Sequence, residues 1–183
     1  METVLEIKDI VLYVPEGDGI RKVMSSYSLS LGKGEVRTVA ADSGEEAHYL
    51  YRIAAGDLEP TSGTVTRSGG IIGLIRRGSE VFAELTVDEN IALACGADRG
   101  EKTAAEYGLD AGIKASELSS GDRVKLLFLQ RYLQEPAYIV AEEPFEGLDV
   151  SGKEQALRFI TEETEKTGIP VLIIESERTG DLR

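Results

Sequence analysis

Leu118-Ser-Ser-Gly-Asp-Arg123, Tyr138-Ile-Val-Ala-Glu-Glu-Pro144 and Glu146-Gly-Leu-Asp149 form the stretch whose reading decides the fold. Within it, 137–141 is a short apolar run closed by acids and a proline, the pattern of a strand buried on both faces. Before it, 119–134 carries apolar residues at helical spacing: Val124, Leu127 and Leu133, with Leu126 and Leu129 beside them. After it, 151–167 reads as a second helix that leads to a last strand over 171–174. Strands alternating with helices imply a parallel sheet covered on both faces.

Working outward to the N-terminus, alternation in 4–13 predicts a strand ended by Pro15-Glu-Gly-Asp-Gly19. Residues 27–31 alternate too, and Gly32-Lys-Gly34 predicts a turn into a strand over 35–40. A helix is expected over 45–55, stopped by Gly56. Pro60-Thr-Ser-Gly63 then turns the chain into strands at 64–66 and 71–75. Residues 86–94 read as a short helix capped by Thr86, with Glu89 three residues on. The segment 97–116 is polar and weakly patterned, and no repeat, low-complexity tract or linker divides the chain, so 1–183 reads as a single domain.

The 183 residues suffice to bury roughly 70% of the unfolded surface. With 33 acidic and 20 basic residues the net charge is −13, which favours solubility and argues against nucleic-acid binding or contact with an anionic membrane. Cys95 is the only cysteine, which excludes an internal disulfide and thiol–zinc clusters; in Ile91-Ala-Leu-Ala-Cys95 it reads as a small buried helix residue. The N-terminus lacks the basic and apolar regions of a signal peptide, and the apolar runs 71–75 and 126–129 are too short for a bilayer, so a cytoplasmic location is expected.

Taken in order, the three opening strings resemble the signature motif, Walker B strand and D-loop of ATP-binding cassette (ABC) ATPases. Tyr51-Arg-Ile-Ala-Ala-Gly-Asp-Leu-Glu-Pro-Thr-Ser-Gly-Thr-Val65 is similar to that family's helix and turn after the phosphate loop, and Glu84-Leu-Thr-Val-Asp-Glu-Asn90 to the approach to its helical subdomain. Five strings in one order and spacing make chance a poor explanation. The resemblance implies an α/β, P-loop NTPase-like core with a parallel sheet, N-terminal antiparallel strands, and a shortened helical subdomain over 91–134 that carries the signature. Only 27 residues, 91–117, separate the helix entry at Asn90 from that motif. With the sequence ending at Arg183, the reading expects none of the C-terminal elements usual in the family. Residues 70–90 further resemble polysaccharide-exporter subunits of the same family.

The expected phosphate loop, G-x-x-x-x-G-K-[ST], reads Ala41-Asp-Ser-Gly-Glu-Glu-Ala-His48. Only Gly44 of its glycines is kept; Ala47 stands at the lysine position and His48 at the Mg²⁺-binding hydroxyl. Glu45 and Glu46 add carboxylates where a triphosphate would sit, each opposing it by about 4 kcal/mol at ~4 Å and an effective dielectric near 20. Glu142 replaces the metal-organising Asp, and Glu143 holds the family position of the water-activating glutamate; a strand-ending turn is the alternative for Glu142-Glu-Pro144. Ser176 falls where the family places its switch histidine, and Arg76 or Arg77 where it places the Q-loop glutamine. Tyr13 lies near the adenine-stacking aromatic, or is simply a packed strand-end residue.

The signature, Ser119, Ser120 and Gly121, is better kept: Ser119 and Gly121 preserve its hydroxyl and close-approach glycine, Ser120 and Asp122 replace Gly and Gln, and Asp149 closes the D-loop. The resemblance implies that these act on ATP held by an opposite subunit; equally, Ser119 caps a helix and Gly121 packs closely. The expected function is therefore an ABC-like protein without its own ATP hydrolysis. It would work by association, as a scaffold or as the silent partner of an active ABC ATPase or a second copy of itself. No cofactor or metal is expected on that reading. The alternative is an ATP-binding transporter subunit with an atypical but working site, using ATP and Mg²⁺ and meeting the membrane only through its complex.

Overall fold

The computed structural model describes residues 2–177. In chain order it has β1 (Thr3–Glu16), β2 (Gly19–Gly32), β3 (Val36–Ala41), α1 (Gly44–Ala55), β4 (Ser62–Arg67) and β5 (Ile72–Ile75). There follow α2 (Val87–Cys95), α3 (Gly100–Glu106), α4 (Ser120–Tyr132), β6 (Tyr138–Glu142), α5 (Val150–Thr167) and β7 (Val171–Ser176). Two sheets result: an antiparallel one in the order β2-β1-β4, and a parallel one in the order β3-β7-β6-β5. Both the mixed architecture and the parallel core agree with the expected fold class.

The middle strands of the parallel sheet show why this sequence layers as it does. Every residue of β6 is buried, and successive side chains point to opposite faces. Tyr138 and Val140 pack with the antiparallel sheet and α1, among Leu5, Ile7, Leu50 and Ile53. Ile139 and Ala141 pack on the other face with Leu126, Phe128 and Ile160 of α4 and α5. In β7, Leu172 and Ile174 join the first core and Val171 and Ile173 the second. A buried Leu, Ile or Val contributes about 1.5–3 kcal/mol, so a one-residue slip would exchange two cores at once and is strongly disfavoured.

Helix α1 ends at Gly56, whose φ of 84° lets its N–H reach the carbonyls of Arg52 and Ile53. The Tyr138 hydroxyl donates to the Ala54 carbonyl at 2.7 Å, fastening β6 to that end of the helix, and burial pushes its pKa up to about 12. Helix α2 has the expected capping box, with Thr86 and Glu89 each receiving the other's backbone amide.

Three expectations need correction. The first strand does not stop before Pro15: β1 continues to Glu16, with Pro15 opposite Ile20, and β2 begins at Gly19. Pro15 is tolerated because β4 pairs with β1 only as far as Val11, so no ladder needs its amide. The weakly patterned segment 97–116 contains α3, built on the small buried residues Gly100, Thr103 and Ala104. Cys95 ends α2 half-buried, its thiol donating to the Ile91 carbonyl at 3.4 Å. No helix among the described residues is long and apolar enough to cross a membrane.

Candidate functional site

In a parallel sheet the carboxyl ends of the strands and the helix starts beyond them share one edge, where ligands of α/β proteins gather. Here that edge holds a cleft of about 430 Å³ lined by Ser43, Gly44, Arg77, Glu143, Glu146, Ser176 and Glu177. Four separate segments contribute: the β3–α1 loop, the residues after β5, the β6–α5 turn and the end of β7.

The start of α1 is closed by its own acids. Ser43 is the N-cap, its hydroxyl accepting from the Glu46 amide at 3.1 Å. The Glu46 carboxylate turns back and accepts from the Asp42 amide at 2.9 Å, while the Ala47 amide donates to the Ser43 carbonyl. Acids in a first turn favour the helix dipole, which is why the chain adopts a capped helix here. Glu45 is held by Arg21 of β2, whose Nη2 donates at 2.6 Å; that arginine's pKa is raised by Glu45 first and Glu16 second.

Three further contacts join the edge. His48 Nδ1 lies 3.0 Å from Glu142 Oε1, a ring nitrogen facing a buried carboxylate. Glu143 Oε1 accepts from the Ser176 amide at 2.8 Å and from the Ser176 hydroxyl. Arg77 donates twice to Glu146, from Nε at 2.8 Å and Nη2 at 2.6 Å, and this carboxylate raises the arginine's pKa. Glu143 itself sits at φ 48°, a left-handed conformation that a residue with a β-carbon keeps only when its surroundings hold it there.

The residues singled out from sequence fall into separate places. Gly44 and Glu143 line the cleft together. Ser119, Ser120 and Gly121 lie at the start of α4: Ser119 is the N-cap of α4 and accepts from the Asp122 amide at 3.1 Å. Ser120 lines a second cleft of about 450 Å³, with Arg76, Val81, Arg123, Leu127 and Leu148 among its other walls. A β-carbon on Gly121 would come 3.0 Å from Gln155 Oε1 and 3.4 Å from Gly152 Cα. Asp149 is the N-cap of α5, accepting from the Gly152 amide at 2.7 Å. Tyr13 stands on β1 outside the cleft lining, partly exposed under Lys22, whose Nζ is 5.5 Å from the ring centre.

Sequence reasoning did not anticipate the pairing partners. Arg77 and Glu146 are 69 residues apart, and His48 and Glu142 are 94 apart. The one available signal was position: Ser176, Arg77 and His48 all occupy motif registers, and all three turn out to hold an acid of the β6–α5 region. No group of three or more His, Cys, Asp or Glu side chains arranged to hold a metal is found among the described residues.

No family profile matches the chain. It is similar to curated relatives named zinc import ATP-binding protein ZnuC. One from Paramagnetospirillum magneticum is 27% identical over 164 residues, covering 85% of this chain and 62% of the relative. Another from Photorhabdus laumondii is 28% identical over 160 residues, covering 84% and 61%. The chain thus spans less than two thirds of the length of these relatives. Among solved structures, cbiO1 from Clostridium perfringens, part of the transporter complex cbiONQ, superposes with a TM-score of 0.79 at 17% identity, covering 97% of this chain and 80% of the other. An inward-facing metal-chelate type ABC transporter gives 0.76 at 16% identity, covering 95% and 73%. Motif order, sequence similarity and fold converge: this chain is similar to ATP-binding cassette ATP-binding proteins and has the fold of their nucleotide-binding domains.

Proposed function

We propose that the chain is an ATP-binding-cassette component of a transporter-type complex, and that within it the phosphate loop is idle while the signature end of α4 serves a partner's nucleotide. The transporter setting is supported by the names of the relatives and of the solved neighbours. The idle loop is supported by one observation above all, the Glu46 carboxylate on the Asp42 amide.

A magnesium-bound triphosphate needs free backbone amides, a cation and a hydroxyl at this loop. The Asp42 and Glu46 amides are already bonded to Glu46 and Ser43. Ala47 offers no charge, and the position of the metal-binding hydroxyl is His48, engaged with Glu142. This donor set does not fit the group, so no hydrolytic step is derived from Glu143. Its carboxylate serves Ser176 instead.

A second reading has the chain bind ATP itself through an atypical loop. The shared description of its relatives as ATP-binding proteins favours it, and supports it more than it supports a scaffold acting by association alone. Calorimetric titration with Mg-ATP separates the two. On the first reading the isolated chain shows no binding at micromolar concentrations, yet it stimulates the ATPase of a partner cassette, and Gly121→Arg abolishes the stimulation. Micromolar affinity in the isolated chain overturns the idle loop.

A further inference from the structure

The turn 143–149 carries two unusual backbone conformations, Glu143 at φ 48° and Gly147 at φ 81°. Glycine takes such a conformation freely, but Glu143 keeps it only where surrounding contacts hold the turn. One end is held by Ser176, which gives Glu143 both its amide and its hydroxyl. Its middle, next to Gly147, is held from outside the turn by Arg77, whose planar guanidinium meets Glu146 with two parallel bonds at 2.8 and 2.6 Å. Arg77 also leans over the start of α1: its Nη1 is 3.8 Å from where a β-carbon on Gly44 would lie. It therefore spans the mouth of the cleft.

The same turn delivers Asp149 to the start of α5, where Gly152 and Gln155 press against Gly121, and Gln155 donates to Asp122 at 3.4 Å. A continuous set of contacts thus runs from Arg77 through the turn to the first residues of α4. We propose that Arg77 is a built-in strap: by holding Glu146 across the cleft it fixes the turn 143–149, and through α5 the signature end of α4, in one arrangement that needs no ligand. The role extends the idle-loop reading, since a partner would meet a signature face set by an internal ion pair.

Hydrogen–deuterium exchange on the isolated chain tests it. Arg77→Ala is expected to raise exchange by about two- to fivefold in peptides covering 143–149 and 119–123, the range for loss of a half-exposed bidentate pair. The far-ultraviolet dichroism should be unchanged, because Arg77 is half exposed. Reversing the pair with Arg77→Glu and Glu146→Arg together should restore protection, which a general loss of packing would not do. Unchanged exchange in Arg77→Ala overturns the strap, and so does a rise confined to 143–149, which removes the link to α4. Added Mg-ATP should leave the wild-type pattern unaltered. Protection appearing at 42–48 would sink the idle-loop reading, while the strap would still stand or fall on Arg77→Ala.

Discussion

Helices α1 and α4 begin alike: a serine N-cap accepts from the amide three residues on, Ser43 from Glu46 and Ser119 from Asp122, each at 3.1 Å. Each cap is followed by a first-turn acid at that third position. Beyond that the two ends part. At α1 the acid folds back onto the preceding backbone, and the glycine is not crowded: a β-carbon on Gly44 would lie 3.8 Å from Arg77 Nη1 and 4.0 Å from Ser176 Oγ. At α4 the acid takes the Ser119 hydroxyl at 2.7 Å, and Gly121 is pressed against α5. The comparison teaches that a retained glycine has two meanings. Gly121 sits tight against α5, whereas none of the described neighbours crowds Gly44.

The largest expected effect comes from making the first end resemble a working phosphate loop. A variant combining Glu46→Gly, Ala47→Lys and His48→Ser removes one carboxylate and adds one cation and one hydroxyl. Each charge change contributes about 4 kcal/mol at ~4 Å and a dielectric near 20, and about half of that survives solvent screening at this end of α1. Affinity for Mg-ATP should therefore rise about a hundredfold or more over the parent chain in a calorimetric titration. The variant also puts a lysine at the fully buried Ala47 and releases Glu142, which is buried against His48, so its thermal midpoint should fall. If the variant is folded and its affinity does not change, the acids at α1 are not what separates the two ends.

How much of this was legible in the sequence depends on distance along the chain. The buried strands were plain because 138–141 and 171–174 are apolar without alternation, which only a sheet covered on both faces permits. Gly56 and the Thr86–Glu89 box marked helix ends because caps are local chemistry. The long hairpin was half hidden. Its register shifts between Ile7 and Tyr13, with positive φ at Asp9 and Ser26, break the alternation that would have announced β2 from Gly19. Helix α3 was missed because small residues carry no periodic signal. At the site, motif register located Gly44, Glu143 and Ser176 in one cleft, but the partners of Glu46, Glu142 and Glu146 come from tertiary folding and from a backbone turn that no pattern encodes.

A middle-sized effect sharpens the contrast from the other end. Gly121→Val places its β-carbon 3.0 Å from Gln155 Oε1 and 3.4 Å from Gly152 Cα, with two methyl groups still to be housed. Gln155 can swing aside, but the Gly152 backbone cannot, so overpacking should cost about 1–3 kcal/mol in urea unfolding. An unchanged midpoint would mean that α4 and α5 separate freely, and that Gly121 has no more structural duty than Gly44.

The smallest effect is the one with a sign to settle. Gly44→Ala puts a β-carbon at the first residue of α1, where the nearest atoms are Arg77 Nη1 at 3.8 Å and Ser176 Oγ at 4.0 Å, both ordinary contacts. Gly44 is absent from the positive-φ glycines, so alanine can take its conformation. Alanine also restricts the unfolded chain, which should stabilise the protein by about 0.4–1 kcal/mol in urea unfolding. In a loop that had to admit a phosphate against its backbone, the same methyl group would obstruct the approach. A gain in stability with no change in any nucleotide response would therefore place Gly44 in the structural class. A loss of nucleotide-dependent behaviour on the same substitution would return it to the chemistry of phosphate binding and erase the difference between the two helix starts.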